Sequence, residues 1–238
     1  MSSQPNAETA VRKRPVIAID GPAGAGKSTL AAHLARRFGF LNLETGAMYR
    51  ALALKAIECD FCFDEESPLV ELAGRTKIRL EPQLEGNRVL LDGVDVSRRI
   101  RDTDVTSAAS RISVHPLLRA WMVAQQRVLG RQGGVVMEGR DIGTAVFPDA
   151  EVKIFLDAAP EVRGSRRFRQ ATPVPAPVTE EAVLREMQER DERDRNRAES
   201  PLKPAADAVV LDSTALTLDE VLTRAEEIVR SHVERRVP

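Results

Sequence analysis

A glycine-rich loop that joins a short apolar run to a helical pattern constrains this sequence more strongly than any other feature. The apolar run Val16-Ile17-Ala18-Ile19 predicts a buried strand. Residues 28–38 place apolar side chains at helical spacing, and Gly39 after them is a typical helix stop. The loop between strand and helix fits the pattern Gly-x-x-x-x-Gly-Lys-Ser. Its residues, with the one that follows, are Gly21, Pro22, Ala23, Gly24, Ala25, Gly26, Lys27, Ser28 and Thr29. This arrangement predicts a phosphate-binding P-loop.

The chemistry of such a loop explains its unusual composition. Glycines let the backbone wrap a phosphate with its N–H groups pointing inward, and the helix N-terminus adds a positive partial charge. Lys27 is placed to reach the β- and γ-phosphates, and the Ser28 hydroxyl is placed to bind the Mg²⁺ that accompanies the nucleotide. We therefore expect residues 21–29 to bind the phosphates of a nucleotide; the alternative is a glycine-rich turn without a ligand. The loop does not determine what happens to the nucleotide, so GTPase, motor, ATP-driven binding module and kinase all remain open.

The rest of the chain alternates strand and helix patterns. Strands are predicted at 41–43, 134–137, 152–156 and 208–211, and helices at 45–58, 103–113, 116–130 and 218–235. This alternation predicts an α/β fold with a parallel sheet flanked by helices. Three short runs around the turn Gly86-Asn87 predict an antiparallel β insert. We expect a core domain at 15–63 and 102–238, the insert at 64–101 and a disordered tail at 1–14.

Composition and charge disfavour several classes of function. The chain of 238 residues has a formal net charge of −1, so it exerts no general attraction on nucleic acid or anionic membranes. Aromatic residues make up only 4%, which leaves few platforms for stacking bases. No apolar run has the length of a membrane span, and the first fourteen residues lack the apolar centre of a signal peptide. We expect a cytoplasmic monomer that binds neither nucleic acid nor membrane.

The two cysteines, Cys59 and Cys62, have the spacing of a metal or redox pair. A zinc site needs about four ligands, and the three histidines are scattered singly along the chain. We therefore interpret the pair as two incidental thiols.

Arginines lie at two places in the predicted fold where a second anion would bind. Phosphoryl transfer to a phosphorylated acceptor brings two polyanions together, so it requires cations beyond the loop lysine. Arg50 lies about one helical turn beyond Thr45, so both side chains can face a ligand at that helix start. Arg140 directly follows the strand at 134–137, and ligands of open α/β sheets sit outside the carboxyl ends of strands.

A third group of cations lies in the arginine-rich segment 185–197. Arg190, Asp194 and Arg197 are spaced i, i+4 and i+7, which places them on one face of a helix. The alternative is a solvated helix with pairs between acidic residues and arginines. Arginine binds phosphate oxygens bidentately, so in a P-loop protein this face favours a phosphate-binding role.

A proline-rich connector at 171–177 precedes this helix and predicts a mobile link. Connector and helix together predict a short helical lid over about residues 166–197. Arg166 and Arg167 either reach the ATP side from this lid or form a surface pair.

No general base is predicted, because a nucleoside monophosphate does not need one. Its second pKa lies near about 6, so its phosphate is mostly dianionic at neutral pH and its oxygen attacks unaided. A sugar hydroxyl acceptor would instead need a base to remove its proton.

Four motifs in a fixed order carry a family resemblance that covers nearly the whole chain after residue 14. They are Ile19-Asp20 through Ser28-Thr29, Glu44-Thr45-Gly46-Ala47-Met48-Tyr49-Arg50-Ala51, Glu138-Gly139-Arg140-Asp141-Ile142-Gly143-Thr144, and Arg190-Asp191 through Arg197 with Ser200-Pro201-Leu202 and Ala205-Ala206-Asp207-Ala208. In these motifs the chain resembles the bacterial cytidylate kinases, which are nucleoside monophosphate kinases. The resemblance implies transfer of the γ-phosphoryl group of ATP to CMP or dCMP, with Mg²⁺ bound alongside ATP.

The resemblance also implies roles for individual residues. The acceptor phosphate would be held by Thr45, Arg50, Arg140, Arg190 and Arg197. The catalytic cations would be Lys27, Arg140, Arg190 and Arg197. Arg190 and Asp194 would lie near the sugar, and the residues facing the base would be Ser110, Arg119 and Asp141. For Ser110 and Arg119, a helix cap or a surface pair is the alternative. Glu44 departs from the family, in which Asp or a small polar residue usually precedes the Thr-Gly-Ala-Met-Tyr-Arg motif, and the proline-rich connector is also unusual.

Cytosine recognition by Asp141 has an independent physical reason. Cytosine presents an amino donor where uracil presents a carbonyl, and a carboxylate accepts a hydrogen bond from that amino group. Two alternatives stay open. One is a P-loop kinase for another small acceptor such as UMP, AMP, shikimate or a coenzyme precursor, which the insert and Asp141 disfavour. The other is a non-catalytic, ATP-dependent nucleic-acid-binding module, which the near-zero net charge disfavours.

Overall fold

The computed structural model describes residues 12–83, 86–170 and 179–234, which contain eight strands and eight α-helices. The strands are β1 (Val16–Asp20), β2 (Leu41–Glu44), β3 (Ile78–Gln83), β4 (Gly86–Leu91), β5 (Val94–Asp95), β6 (Val135–Gly139), β7 (Val152–Asp157) and β8 (Val209–Asp212). The helices are α1 (Lys27–Phe38), α2 (Thr45–Glu58), α3 (Glu66–Arg75), α4 (Thr103–Ile112), α5 (Pro116–Gly130), α6 (Pro160–Gln170), α7 (Glu180–Asn196) and α8 (Leu218–Glu234). A 3₁₀ turn at Arg99–Arg101 and a π-helical turn at Ile142–Val146 complete the set.

Five strands form one parallel sheet in the order β2-β6-β1-β7-β8. The other three, β3, β4 and β5, form a separate antiparallel sheet. Parallel neighbours require crossover connections, and the helices between the strands supply them. The predicted α/β fold, with its parallel sheet and antiparallel β insert, is confirmed.

The central strand β1 shows why helices cover both faces of the parallel sheet. All five of its residues are buried, and their side chains alternate between the two faces. Val16 and Ala18 pack into an apolar cluster with α2 to α5 and the antiparallel sheet. Ile17 and Ile19 pack into a second cluster with α1 and α8. A strand that is apolar on both sides is typical of a parallel sheet between two helical layers.

The register of the central strands determines where the functional loops leave the sheet. Asp20 at the end of β1 lies beside Gly139 at the end of β6. The P-loop after β1 and the turn after β6 therefore emerge side by side. This is the edge of an open α/β sheet at which ligands bind.

Helix α3 lies inside the predicted insert, where the sequence analysis contained no helix. Its buried residues Leu69, Leu72 and Ala73 have helical spacing, so the pattern is present in the sequence. Pro68 lies in the first turn of α3, where the missing N–H group disrupts no helical hydrogen bond. The boundaries of the core and the insert stay a prediction.

The predicted tail lies mostly outside the described residues, which begin at Arg12. Arg12 donates to the Asp149 carboxylate at 2.7 Å, and Arg14 donates to the carbonyl oxygen of Gly39 at 2.7 Å. Within the described part of the predicted tail, Arg12 and Arg14 therefore contact the core. The proline-rich connector before α7 also lies outside the described residues. None of the helices in the described ranges is long and apolar enough to cross a membrane.

Candidate active site

The P-loop has backbone geometry that requires glycine at two positions. Gly21 has a φ of +149°, and a Cβ atom there would lie 2.0 Å from the carbonyl oxygen of Leu156. Gly24 has a φ of +72°, a left-handed conformation that glycine adopts without steric cost. Helix α1 begins at Lys27, directly after the loop. The loop therefore has the close-fitting backbone and adjoining helix N-terminus expected of a phosphate site.

Lys27 is a buried cation at the base of this loop. Its side chain amine, Nζ, donates to the carbonyl oxygen of Pro22 at 2.6 Å. Burial, followed by repulsion from Arg140, lowers the pKa of Lys27 to about 7. An anionic phosphate beside Nζ would supply the missing counter-charge and raise this pKa again. Ser28 and Thr29 are exposed in the first turn of α1.

Asp20 connects the end of β1 to the turn after β6. One of its carboxylate oxygens accepts from the N–H of Ile142 at 2.8 Å, and the other accepts from the N–H of Gly143 at 2.7 Å. Burial raises the pKa of Asp20 to about 6, although these two hydrogen bonds oppose the shift. Asp20 therefore holds the backbone that follows the Arg140-Asp141 pair.

Glu138 places a second buried carboxyl group at the centre of the site. It is 4% exposed, and its Oε1 atom has no hydrogen-bond partner. Burial, reinforced by the negative charge of Glu44, raises the pKa of Glu138 to about 7. The positive charge of Lys27 and, to a smaller extent, the Ser28 hydroxyl oppose the shift. Glu138 thus lies between the P-loop and the start of α2.

Three arginines and one carboxylate converge beside the P-loop. Arg140 donates from Nε to Asp194 at 2.9 Å, and Nη1 of Arg197 lies 3.6 Å from the other Asp194 oxygen. Arg190 comes from the same helix, α7. Burial and repulsion from Arg140 lower the pKa of Arg190 to about 10, and Arg190 in turn depresses the pKa of Lys27. The predicted face of α7 therefore points toward the P-loop.

The start of α2 adds a hydroxyl and a further arginine. The Thr45 hydroxyl donates to the carbonyl oxygen of Glu138 at 2.7 Å, which fixes the helix start against β6. Arg50 forms a salt bridge with Glu44, and Nη2 of Arg101 lies 3.8 Å from the same carboxylate. Although burial acts to raise the pKa of Glu44, the two arginines lower it overall. The side chain that departs from the family pattern therefore supplies a resident negative charge to Arg50.

A second buried polar cluster, around Arg119 and Asp141, adjoins the arginines, since Nη2 of Arg197 lies 3.9 Å from the Asp141 carboxylate. Arg119 forms a salt bridge with Asp141 and donates to the carbonyl oxygen of Ser113 at 3.1 Å. The Arg119 guanidinium lies 5.7 Å from the centre of the Tyr49 ring. Burial raises the pKa of Tyr49 to about 12, so the phenol remains protonated. The buried Ser110 hydroxyl accepts from Arg193 Nε of α7 at 3.2 Å.

Two features noted in the sequence lie apart from this cluster. Arg166 donates to the hydroxyl and the carbonyl oxygen of Ser213 at 3.0 and 2.9 Å, which ties α6 to the loop after β8. Cys59 and Cys62 are exposed free thiols. Among the residues that the structure describes, no group of three or more His, Cys, Asp or Glu side chains is arranged to hold a metal ion.

The structure brings together the residues that the resemblance connects with the acceptor. They are Thr45, Arg50, Ser110, Arg119, Arg140, Asp141, Arg190, Asp194 and Arg197. Asp20, Glu138 and Tyr49 were not among the site residues predicted from the sequence. Asp20 and Glu138 stand at the carboxyl ends of two buried strands, and that position is a signal that could have identified them.

Buried polar atoms without a hydrogen-bond partner concentrate in this site. Eight such side-chain atoms occur within the described residues. Six of them belong to Tyr49, Arg50, Arg119, Glu138, Arg190 and Arg197. Buried polar groups are normally paired, so this concentration indicates a polar ligand whose oxygens accept from the arginines.

Buried cations facing a P-loop are what an enzyme needs to bring two phosphorylated molecules together, and the fold and site thus define a P-loop kinase. The chain belongs to the cytidylate kinase family, whose family model matches residues 17–231. It is 49% identical over 208 residues to the cytidylate kinase of Aeromonas hydrophila, a match that covers 87% of this chain and 90% of that protein. It is 46% identical over 223 residues to the cytidylate kinase of Geobacillus thermodenitrificans, covering 94% and 100% of the two chains. The family resemblance predicted from the motifs is confirmed.

Proposed function

We propose that this enzyme transfers the γ-phosphoryl group of ATP to CMP or dCMP, giving ADP and CDP or dCDP. The observation that carries the proposal is the set of buried, incompletely paired arginines near Lys27 of the P-loop and the Arg119–Asp141 salt bridge. Membership of the cytidylate kinase family supports the same reaction. No observation favours another acceptor or a nucleic-acid-binding module.

On the donor side, residues 21–29 would hold the phosphates of ATP. The N–H groups of the loop and of the first turn of α1 bind phosphate oxygens, and Lys27 reaches the transferring group. Lys27 is already desolvated, so its charge acts on the phosphate with little screening by water.

On the acceptor side, Arg50, Arg140, Arg190 and Arg197 would hold the phosphate of CMP, with the Thr45 hydroxyl close by. Arginine suits this role because its fork of N–H groups matches phosphate oxygens. The charge of the transition state would then be stabilised by Lys27, Arg140, Arg190 and Arg197. Arg140 and Arg190 lie close enough to Lys27 to lower its pKa, and Arg197 shares the carboxylate of Asp194 with Arg140.

The base of CMP would lie in the pocket formed by Arg119, Asp141 and Ser110. The Asp141 carboxylate accepts from the cytosine amino group, while a uracil carbonyl in the same place faces a negative charge. Asp194 and Arg190, between this pocket and the P-loop, would contact the sugar.

Magnesium is expected with ATP, and the residues present fit it. The Ser28 hydroxyl and the unpartnered Oε1 of Glu138 are oxygen ligands of the kind that Mg²⁺ prefers. When bound, Mg²⁺ would supply positive charge to the phosphates of ATP. Ser28 and deprotonated Glu138 would hold it beside the P-loop.

An acceptor panel tests this proposal. Purified enzyme with Mg²⁺ and ATP is offered CMP, dCMP, UMP or AMP, and ADP release is followed by a coupled assay. We expect the highest kcat/KM with CMP or dCMP, and faster turnover with UMP or AMP would contradict the substrate proposal. Tight RNA binding without phosphoryl transfer to any monophosphate would contradict the proposed enzyme class. The monomeric state and the cytoplasmic location stay predictions.

A further inference from the structure

Two charged residues outside the proposed ligand contacts tie α7 to the P-loop. Asp191 of α7 and Arg163 of α6 form a salt bridge of 2.6 Å, and they are 4% and 2% exposed. The second Asp191 oxygen accepts from the N–H of Ala23 in the P-loop at 3.3 Å. Arg163 donates to the carbonyl oxygen of the same Ala23 at 2.9 Å. The pair thus engages both backbone groups of one loop residue.

Arg163 is itself fixed from the other side. Its Nε donates to the carbonyl oxygen of Ala158 at 2.8 Å, at the end of β7. The guanidinium therefore joins the sheet, the P-loop and α7 in one hydrogen-bonded unit. Arginine is suited to this because its planar fork makes several directed bonds at once.

Apolar contacts close the same junction. The Met187 side chain of α7 lies over Gly24, so that a Cβ atom at Gly24 would be 2.7 Å from the Met187 methyl carbon. Leu184 packs in the same way against Gly164 of α6. Gly24 and Gly164 thus allow α7 to approach the P-loop and α6 closely. This close packing brings Asp191 within salt-bridge distance of Arg163.

Asp191 is adjacent in sequence to Arg190 and lies on the helix that carries Asp194. A helix turn is rigid on the scale of these contacts, so a bond at Asp191 fixes where the Arg190 guanidinium lies relative to Lys27. Positioning errors of about 1 Å cost about 10²-fold in enzymatic rate. A carboxylate beside the P-loop would also repel ATP unless it is neutralised, and Arg163 supplies that neutralisation.

We infer that Asp191 and Arg163 are positioning residues that hold α7 on the P-loop and so align Arg190 with the transferring phosphoryl group. This inference rests on the proposed role of Arg190. The acceptor phosphate is also held by Arg50 and Arg140, which lie on other elements. Loss of the Asp191–Arg163 pair should therefore reduce turnover more than it reduces CMP affinity.

The test compares Asp191→Asn with the matched control Glu192→Gln, which changes an exposed carboxylate on the neighbouring position of α7. For Asp191→Asn we expect kcat to fall about tenfold or more while KM for CMP changes less than about threefold. Glu192→Gln should match the wild type in both constants. Arg163→Lys, a second variant that keeps the charge, should lower kcat in the same direction. A kcat within about twofold of wild type in folded Asp191→Asn protein would overturn the inference.

A double-mutant cycle with Arg190→Ala separates positioning from a structural role. If Asp191 acts through Arg190, its replacement has little left to disturb once Arg190 is alanine. The double variant should then have a kcat within about twofold of that of Arg190→Ala. If the fold-decreases in kcat of the two single variants multiply in the double variant, Asp191 does not act through Arg190, and the inference is overturned.

Amide hydrogen exchange gives a readout that does not depend on the acceptor. Asp191→Asn should speed exchange in α7 but leave exchange in α8 unchanged, and unaltered protection of α7 would contradict the inference. Wild-type enzyme that fails to phosphorylate CMP would contradict the proposed function alone. The exchange comparison would still decide whether the pair holds α7.

Discussion

Replacing Glu138 by glutamine should remove a pH-dependent loss in the free energy of unfolding that the wild-type protein shows. Glu138 is 4% exposed. Burial, and then the nearby Glu44, raise its pKa from 4.5 to about 7, against the opposing effects of Lys27, Ser28 and Arg50. The folded protein therefore keeps a proton on Glu138 in a pH range in which the unfolded chain has released it.

The sign and size of the effect follow from this difference in proton binding. Because the folded state binds the extra proton, its free energy of unfolding falls as the pH rises from 4.5 to about 7. The gap between these two pKa values corresponds to about 3 kcal/mol. A glutamine amide does not ionise, so the Glu138→Gln variant lacks this loss. The substitution also removes a counter-charge from Lys27, so we expect the variant to gain about 1–3 kcal/mol relative to wild type between pH 5 and pH 8.

Urea unfolding of nucleotide-free protein at pH 5 and pH 8 measures this gain, because the linear extrapolation gives the free energy of unfolding at each pH. Glu189→Gln is the matched control, since it removes an exposed carboxylate from α7 and should shift stability equally at both pH values. Other ionisable groups are common to all three proteins, so their contributions cancel to first order. If wild type and Glu138→Gln differ by the same amount at both pH values, the raised pKa of Glu138 is wrong.

Three further substitutions test other parts of the site. Lys27→Ala should lower kcat by at least about 10²-fold, because it removes a desolvated cation proposed to stabilise the transition state. The circular dichroism spectrum should not change, and turnover near the wild-type rate would refute the role of Lys27. Asp141→Asn should reduce the preference for CMP, measured as kcat/KM with CMP divided by kcat/KM with UMP, by about tenfold or more. An unchanged preference would show that residues other than Asp141 recognise the base. Gly24→Ala should destabilise the fold by about 1–3 kcal/mol in urea unfolding, because its φ of +72° is strained for alanine; equal stability would contradict this.

Most of the fold could be predicted from short-range patterns in the sequence. The apolar run that became β1 and the glycine-rich loop after it are local signals, and the structure places both as predicted. Helix α3 was missed although its buried residues have helical spacing, because it is only ten residues long, has Ser67 and Pro68 in its first turn and is followed by strands. Short helices depend on tertiary packing more than on propensity, and here the packing is against α5 and the apolar cluster around β1.

The site was predictable where a residue lies in a motif and not where its role depends on distant neighbours. Arg140 follows a predicted strand, so its position at the ligand edge could be inferred from the sequence alone. The raised pKa of Glu138 depends instead on Glu44, which approaches only because β2 pairs with β6 in one register. Asp191 likewise has its salt-bridge partner Arg163 twenty-eight residues away, in another helix. No spacing rule connects such residues before the fold is known.

Charged partners that are distant in sequence affect the site because its cations repel one another when no nucleotide is bound. Burial and mutual repulsion lower the pKa of both Lys27 and Arg190, so the folded protein holds these cations at a cost. Asp194 accepts a hydrogen bond from Arg140, one of the arginines proposed to hold the acceptor phosphate. Binding of two polyanions would relieve the repulsion and exchange these internal pairs for stronger contacts with phosphate. The stabilisation of the fold by ATP and CMP should therefore exceed what either nucleotide gives alone, because each ligand neutralises cations that repel one another across the site.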